Sequence, residues 1–375
     1  MSNPFINYVQ ALPEEILLPT FWNDSEQQLL AGTSLQEALE TKTKSLNREF
    51  DHLRRSTSSI PWCHEHWWSS QSGSFSIDDW IYVDAAYRSR ALDLPYAGHA
   101  VVPCIDMANH ASGDRTKAIY EIDSNDRDAV LLLRDGHKLA AGEEVTITYG
   151  DEKGACEMLF SYGFIEEDCD DAREVFLAIE LPEDDPLAAA KKALSKAPPG
   201  FKLFRQGSNI AWEGPLVWLL CLNEEDGLEV KLAQVQDGST ELAMTFRGVA
   251  VEDADQIKVV LEAEALWDVF RLRATTLVQA SVERQLIRLE SSQEGVQAVQ
   301  ELGDIRSSVE GYAIELRDLE ETFLLEAYEA LEHAKLDLLD SAVVQNYLNG
   351  NQAISNPAPT DGEPGQQPVA EDDFS

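Results

Sequence analysis

The chain has 375 residues, of which 44% are hydrophobic, and its formal net charge is −39 because 68 acidic residues outnumber 29 basic ones. A chain of this length and composition can bury a substantial core, which excludes disorder throughout and predicts two domains, or three. A surface this acidic repels the phosphates of nucleic acids, so we expect no direct binding to DNA or RNA. The same charge favours a basic protein as the partner.

The apolar runs are short and the cysteines are scattered. Runs such as 216–222 are far below the about 20 residues that a membrane-spanning helix needs. Residues 1–10 lack the basic start and apolar core of a secretion signal. An odd number of unpaired cysteines, five in all, indicates free thiols in a reducing compartment. We therefore expect an intracellular monomer, in the nucleus or the cytoplasm, with no membrane partner.

Residues 1–99 have a mostly helical pattern. Ser34 and Glu37 have the spacing of a capping box, and a second helix is predicted to begin at Ser76. Apolar residues after Ser34 recur at a roughly helical period: Leu35, Leu39, Leu46, Phe50 and Leu53. This region is predicted to be a helical unit.

Residues 100–168 change to short β-type segments. Two apolar runs, 118–122 and 129–133, flank the polar cluster 123–128, which predicts a β-hairpin. Residues 145–149 are rich in β-branched side chains and end in Gly150-Asp151, which predicts a strand and a turn. A helical turn is predicted over 157–163.

Residues 169–350 are predicted to be helical, and 351–375 to be a disordered acidic tail. Two long amphipathic segments, 253–291 and 308–348, are expected to pack against each other. The tail contains four prolines and five acidic residues but no Lys or Arg, which is typical of disorder. The fold class is therefore α+β, with an all-helical C-terminal domain.

Three stretches contain polar and aromatic side chains of the types that take part in catalysis or ligand binding. They are 102–110, with Asp106, Asn109 and His110; 142–150, ending in Tyr149-Gly150; and 159–164, with Tyr162-Gly163-Phe164. Each alone is as well explained by a turn, a strand end or core packing.

In this order and spacing, the three stretches resemble the SET-domain methyltransferases of the Rubisco large-subunit lysine methyltransferase branch. The likeness extends over about residues 4–345. Upstream, Trp80 and Ser89-Arg90 resemble the end of the family's helical insertion, and residues 316–325 fit its last long helix. The resemblance implies a SET β-fold with a large helical insertion over 1–99, a motif core over 100–168 and a helical substrate-binding domain over 169–350.

The start of the family's SET domain has no counterpart that we can identify. The family places a strand and a Gly-x-Gly turn before the helical insertion. Here Gly32 is the only glycine before Gly73, and residues 1–10 already resemble the insertion. The sequence therefore predicts an incomplete SET fold.

The resemblance also implies roles for single residues. The cofactor would be S-adenosylmethionine, bound by Arg90, Asn109, His110 and Phe164, with Tyr149 as the catalytic residue beside the transferred methyl group. The side chain of the substrate would lie among Asp106, Tyr120 and Tyr162.

The implied activity is protein-lysine N-methylation of a basic protein such as a ribosomal protein or a histone. Because members of this branch differ in the residue that they methylate, a histidine acceptor is a second alternative. The alternative is a catalytically impaired SET-like protein that acts as a protein-binding module.

One further segment contains metal-ligand side chains. Cys63, His64 and His66 are of the right types, but no second cluster completes a tetrahedral site. We therefore predict no metal and interpret 61–68 as an aromatic segment of the insertion.

Overall fold

The computed structural model describes residues 4–69, 75–95, 98–123, 128–181, 185–195, 198–234 and 240–355. The helices are α1 (Ile6–Ala11), α2 (Asp24–Gln28), α3 (Ser34–Thr57), α4 (Pro61–Cys63), α5 (Ile77–Arg88), α6 (Ala155–Tyr162), α7 (Ala188–Leu194), α8 (Pro215–Leu220), α9 (Ala254–Glu262), α10 (Trp267–Leu302), α11 (Ser307–Leu339) and α12 (Ala342–Ser355). The strands are β1 (Leu92–Leu94), β2 (Gly98–Ala100), β3 (Asn109–His110), β4 (Ala118–Ile122), β5 (Ala129–Leu133), β6 (Thr146–Ile147), β7 (Glu174–Ala178), β8 (Gly200–Gln206), β9 (Asn209–Glu213), β10 (Leu228–Gln234), β11 (Thr240–Phe246) and β12 (Val249–Val251). None of the helices in this described part combines the length and apolarity needed to cross a membrane.

The N-terminal region is helical, as predicted, but α3 is not capped as predicted. Ser34 is the first residue of α3, and Thr33 before it makes no capping bond with its side chain. The Ser34 amide instead donates to the carboxylate of Glu320, 2.8 Å away on α11. The prediction of a Ser34–Glu37 capping box is therefore wrong, because a residue far along the chain satisfies this helix end. α5 does begin with a capping box, formed by Ser76 and Asp79.

The predicted hairpin is confirmed in the motif core. β4 and β5 pair antiparallel from Ala118–Leu133 to Ile122–Ala129; of the predicted turn, residues 124–127 lie outside the described residues. The strand predicted over 145–149 is limited to Thr146–Ile147, which pairs parallel with β3. A small core joins these elements to the β1–β2 hairpin: Leu92, Leu94, Ile105, Ala118 and Ile147.

The C-terminal region is not all-helical, which corrects the predicted fold. Two antiparallel three-stranded sheets, β7-β8-β9 and β10-β11-β12, precede the long helices. Along β7 the buried side chains of Val175 and Leu177 alternate with more exposed ones. This two-residue period is the signature of a half-buried strand, and a helical interpretation overlooks it. The fold class stays α+β, with small sheets and long C-terminal helices.

The long helices connect the N-terminal and C-terminal parts. The predicted segment 253–291 divides into α9 and α10, and 308–348 into α11 and α12. α10 and α11 pack against each other, as predicted. One core is shared by the N-terminal helices, α6 and the two long helices, and it includes Leu35, Leu159, Val296 and Leu316. α12 extends to Ser355, and the rest of the predicted tail lies outside the described residues.

Candidate functional site

The predicted motifs converge on one cavity of about 540 Å³, which we call the tyrosine cavity. It lies where the end of α5 meets β1, β4, β6 and α6. Five predicted site residues line it: Arg90, Asp106, Tyr120, Tyr149 and Tyr162. The structure therefore brings together residues that are up to 72 positions apart in the sequence.

Local structure explains how Tyr149, Tyr162 and Phe164 reach this place. Tyr149 follows β6 by two residues, and Tyr162 is the last residue of α6. Gly163 then ends the helix with a φ of 84°, a left-handed conformation that favours glycine. A Cβ at Gly163 would also lie 3.0 Å from the backbone of Leu17, so only glycine turns the chain toward Phe164 without strain.

Phenol groups form much of the cavity wall. The rings of Tyr149 and Tyr162 lie 4.5 Å apart, and the Tyr149 hydroxyl donates to the Ala108 carbonyl at 2.9 Å. Burial raises the pKa of Tyr149 and of Tyr162 to about 12. Burial, together with Asp93, also raises the pKa of Tyr120. All three groups are therefore neutral near pH 7 and act as hydrogen-bonding phenols rather than as bases.

A buried carboxylate and a guanidinium face the same space. Asp106 has a fully buried side chain and accepts from the Tyr8 hydroxyl at 2.6 Å. Arg90 donates to the Asp106 carbonyl at 3.1 Å and lies 3.4 Å from its carboxylate. Oδ1 of Asp106 and Nε of Arg90 are buried and have no hydrogen-bond partner among the described residues. One acceptor and one donor are thus left for a ligand, since buried polar atoms are normally paired.

His110 and Phe164 contact the tyrosines without lining the cavity. The His110 ring lies 5.2 Å from the ring of Tyr149 and 6.0 Å from that of Phe164. Its Nδ1 accepts the backbone N–H of Tyr149 at 3.0 Å, and its Nε2 lies 3.1 Å from Oε1 of Glu166. These contacts place both predicted cofactor residues directly beside the predicted catalytic tyrosine.

Asn109 is placed differently from the other predicted site residues. Its side chain is on the exposed side of β3 and donates to the carboxylate of Glu144. It does not line the tyrosine cavity. Any contact that Asn109 makes in the site would therefore involve its backbone or a rearranged side chain.

Two residues that were not predicted from the sequence form hydrogen bonds with predicted site residues. Tyr8, on the exposed helix α1, bonds Asp106 from 98 positions away, and no local pattern signals such a contact. Glu166 follows Phe164 by two residues and holds both His110 and Ser112. The one signal in the sequence is its position two residues after the stretch 159–164, which the sequence analysis already linked to the site.

The fold of this chain is shared with SET-domain structures. The structure of the SET domain of Rubisco LSMT bound to MeLysine and AdoHcy superimposes with a TM-score of 0.61 over 94% of this chain and 76% of that chain, at 19% identity. The structure of Rubisco LSMT bound to AdoMet gives a TM-score of 0.60 over 96% of this chain and 76% of that chain, at 20% identity.

Sequence comparison finds relatives that match part of the chain. The SET domain-containing protein 8 of Schizosaccharomyces pombe is 29% identical over 288 residues, 76% of this chain and 63% of that protein. The aldolase-lysine N-methyltransferase of Arabidopsis thaliana is 28% identical over 195 residues, 51% of this chain and 39% of that protein. The chain therefore spans less than two thirds of either relative.

These likenesses confirm the resemblance seen in the motifs. The chain is similar to the SET domain-containing protein of fission yeast and to the Rubisco large-subunit methyltransferases. A more distant relative, the actin-histidine N-methyltransferase of Gallus gallus, is 25% identical over 198 residues, 51% of this chain and 32% of that protein. No protein-family model matches the chain.

Proposed function

We propose that this protein is a protein-lysine N-methyltransferase that uses S-adenosylmethionine. The observation that carries the proposal is the tyrosine cavity, which is lined by three neutral phenols and by a buried carboxylate with one acceptor atom that has no partner among the described residues. Such walls suit an aliphatic side chain that ends in an amine. The relatives named for lysine methylation, and the related structures with lysine or methyllysine bound, support the same conclusion.

The residues present fit the cofactor. The buried Nε of Arg90 has no partner among the described residues and suits a carboxylate, which guanidinium groups bind in a fork. The rings of His110 and Phe164 offer packing surface to an adenine. Asn109, next to His110, would contribute through its backbone. When bound, S-adenosylmethionine supplies an electrophilic methyl group on a cationic sulfonium.

The chain's own residues would orient and dehydrate the acceptor amine. Tyr149 already donates its proton to Ala108, so its oxygen can accept an N–H from the amine, and Oδ1 of Asp106 can accept another. Tyr120 and Tyr162 would exclude water along the side chain. Alignment of the amine in a restricted channel supplies the main rate gain.

The site needs no strong base to obtain a neutral amine. A free lysine has a pKa near 10.4, so roughly one in 2,500 is neutral at pH 7. Desolvation in a partly apolar channel and the Arg90 guanidinium lower the lysine pKa, and they act against the Asp106 carboxylate, whose charge is already partly compensated by Arg90 and the Tyr8 hydroxyl. The buried phenols stay protonated and cannot remove the proton themselves. The proton therefore leaves to solvent before or during binding.

Cofactor binding and methyl transfer test the proposal separately. Titration of the full chain with S-adenosylhomocysteine in a calorimeter should give saturable heat. Tritium-labelled S-adenosylmethionine should then label histones or ribosomal proteins, with the label on lysine after hydrolysis. Label on histidine would overturn the lysine assignment. Saturable binding without transfer to any protein fraction would favour the binding-module alternative, and no heat at millimolar ligand would refute the cofactor.

A further inference from the structure

We propose that Glu166 is a positioning residue that fixes the catalytic tyrosine through His110. Glu166 is connected to Tyr149 by an unbroken chain of hydrogen bonds, from its Oε1 to Nε2 of His110 and from Nδ1 of His110 to the backbone N–H of Tyr149. The role in turnover rests on the proposed function, whereas the geometric role does not.

The hydrogen bonds fix one tautomer of His110. Nδ1 accepts an N–H, so it carries no proton, and the ring proton of the neutral imidazole must therefore be on Nε2. Nε2–H then donates to Glu166 at 3.1 Å. A side-chain oxygen at Glu166 thus stabilises the same tautomer that the Tyr149 N–H requires, and it fixes the orientation of the ring.

The carboxylate is held firmly in its acceptor role. The hydroxyl of Ser112 donates to Oε2 of Glu166 at 2.6 Å, and Arg115 lies 3.9 Å from the same oxygen. Burial opposes ionisation, but the hydrogen bonds from Ser112 and His110, together with the charge of Arg173, outweigh it and lower the pKa of Glu166. Glu166 therefore stays ionised at neutral pH and cannot compete with His110 as a donor.

Water cannot easily take over this role. The side chain of His110 is 3% exposed and that of Glu166 is 12% exposed. Without the acceptor, Nε2–H of His110 would be a buried donor without a partner, and the ring would be free to change tautomer or to turn. Either change removes the acceptor for the Tyr149 backbone and loosens the ring packing between His110 and Tyr149.

Three variants separate this role from general stabilisation. Glu166→Ala removes the acceptor, Glu166→Gln keeps an oxygen for His110 and gives up the charge, and Glu167→Ala is the control at the exposed neighbour. We expect Glu166→Ala to lower kcat by about tenfold or more, while KM for the protein substrate changes by less than about twofold, because orientation and not binding is lost. Glu166→Gln should restore most of kcat, and Glu167→Ala should match the unmodified protein.

Nitrogen NMR of histidine-labelled protein tests the geometry without any assay of activity. The unmodified protein and Glu166→Gln should show His110 protonated on Nε2 alone, and Glu166→Ala should show a mixture of tautomers. Ser112→Ala removes one hydrogen bond to the Glu166 carboxylate and should therefore shift the tautomer population of His110 by a smaller amount. This variant replaces Glu166→Ala in the test if Glu166→Ala does not fold. An unchanged His110 signature in Glu166→Ala, or in Ser112→Ala if that variant must serve, would overturn the proposal. So would a wild-type kcat in a folded Glu166→Ala enzyme. If the unmodified protein transfers no methyl group, the NMR result still decides the positioning role.

Discussion

At the scale of single residues, the site is defined by the environment of its phenols. Burial keeps Tyr149 and Tyr162 neutral, and packing at 4.5 Å fixes their rings against each other. A phenol in this state donates and accepts one hydrogen bond each in a defined direction. The chemistry of the site therefore depends on where each hydroxyl points more than on any titration.

Replacement of Tyr149 by Phe should reduce turnover and spare cofactor affinity. The variant keeps the ring and loses the hydroxyl that bonds Ala108, so we expect kcat to fall by about tenfold to a hundredfold. A labelled-methyl assay measures the loss, and calorimetry should give an unchanged Kd for S-adenosylhomocysteine. Tyr82→Phe is the control, because Tyr82 also donates to a backbone carbonyl but lies outside the tyrosine cavity. Equal turnover in Tyr149→Phe and Tyr82→Phe would reject the role of Tyr149.

Replacement of Tyr8 by Phe tests the attachment of α1 to the site. The Tyr8 hydroxyl is a donor to the buried carboxylate of Asp106, and hydrogen bonds to charged groups are worth about 1.5–3 kcal/mol. Tyr8→Phe should therefore lower the free energy of unfolding by about 1.5–3 kcal/mol in urea denaturation and also reduce kcat/KM. If the free energy of unfolding and kcat/KM were both unchanged in Tyr8→Phe, the hydrogen bond to Asp106 would make no net contribution to stability or activity.

At the scale of elements, patterns local in sequence were predictable and distant pairings were not. The β4–β5 hairpin follows from two apolar runs around one polar cluster. β7 and β8 were missed, although Val175 and Leu177 alternate with exposed residues, because the strands are separated by more than twenty residues that include α7. The same holds for the site: the motif residues were predictable as a set, whereas Tyr8 reaches Asp106 only through the tertiary fold.

The capping box of α5 offers a prediction at this scale. At the start of α5, the side chains of Ser76 and Asp79 each accept a hydrogen bond from the backbone N–H of the other residue. The C-terminal end of the same helix leads to Arg90. Ser76→Ala removes one of these caps and should cost about 1 kcal/mol of stability, seen as a lower Tm in calorimetry. Ser45→Ala is the control, because this hydroxyl lies within the exposed face of α3 and caps nothing. A loss in Ser45→Ala as large as in Ser76→Ala would contradict a capping effect.

At the scale of the whole molecule, two buried carboxylates join the N-terminal helices to α11. Glu26 bonds Arg306, just before α11, and this contact lowers the pKa of Glu26 to about 2. Glu320 caps α3 through Ser34, and burial raises its pKa to about 7. The two carboxylates thus have opposite dependence on pH, because the bond to Arg306 favours ionised Glu26, whereas burial favours a proton on Glu320 against the opposing effect of its bonds to Ser34.

The raised pKa of Glu320 predicts a specific loss of stability with rising pH. Between about 4.5 and about 7 the folded protein binds a proton at Glu320 that the unfolded chain has released. The contribution is therefore complete below pH 4.5 and is lost as the pH rises through 7, by roughly 3 kcal/mol at about 1.4 kcal/mol per unit of pKa. Glu320→Gln keeps a neutral polar group there and should remove this slope.

Urea denaturation at several pH values, compared between variants, measures this slope directly. The free energy of unfolding of the unmodified protein, minus that of Glu320→Gln, should fall between pH 4.5 and 7. Subtraction matters because a chain with a net charge of −39 has other groups whose ionisation changes its stability. Glu321→Gln removes the same charge from an exposed neighbour on α11 and should leave the slope in place. A constant difference between the unmodified protein and Glu320→Gln would mean that Glu320 is ionised in the fold throughout this range, with Ser34 and Arg317 compensating for its burial.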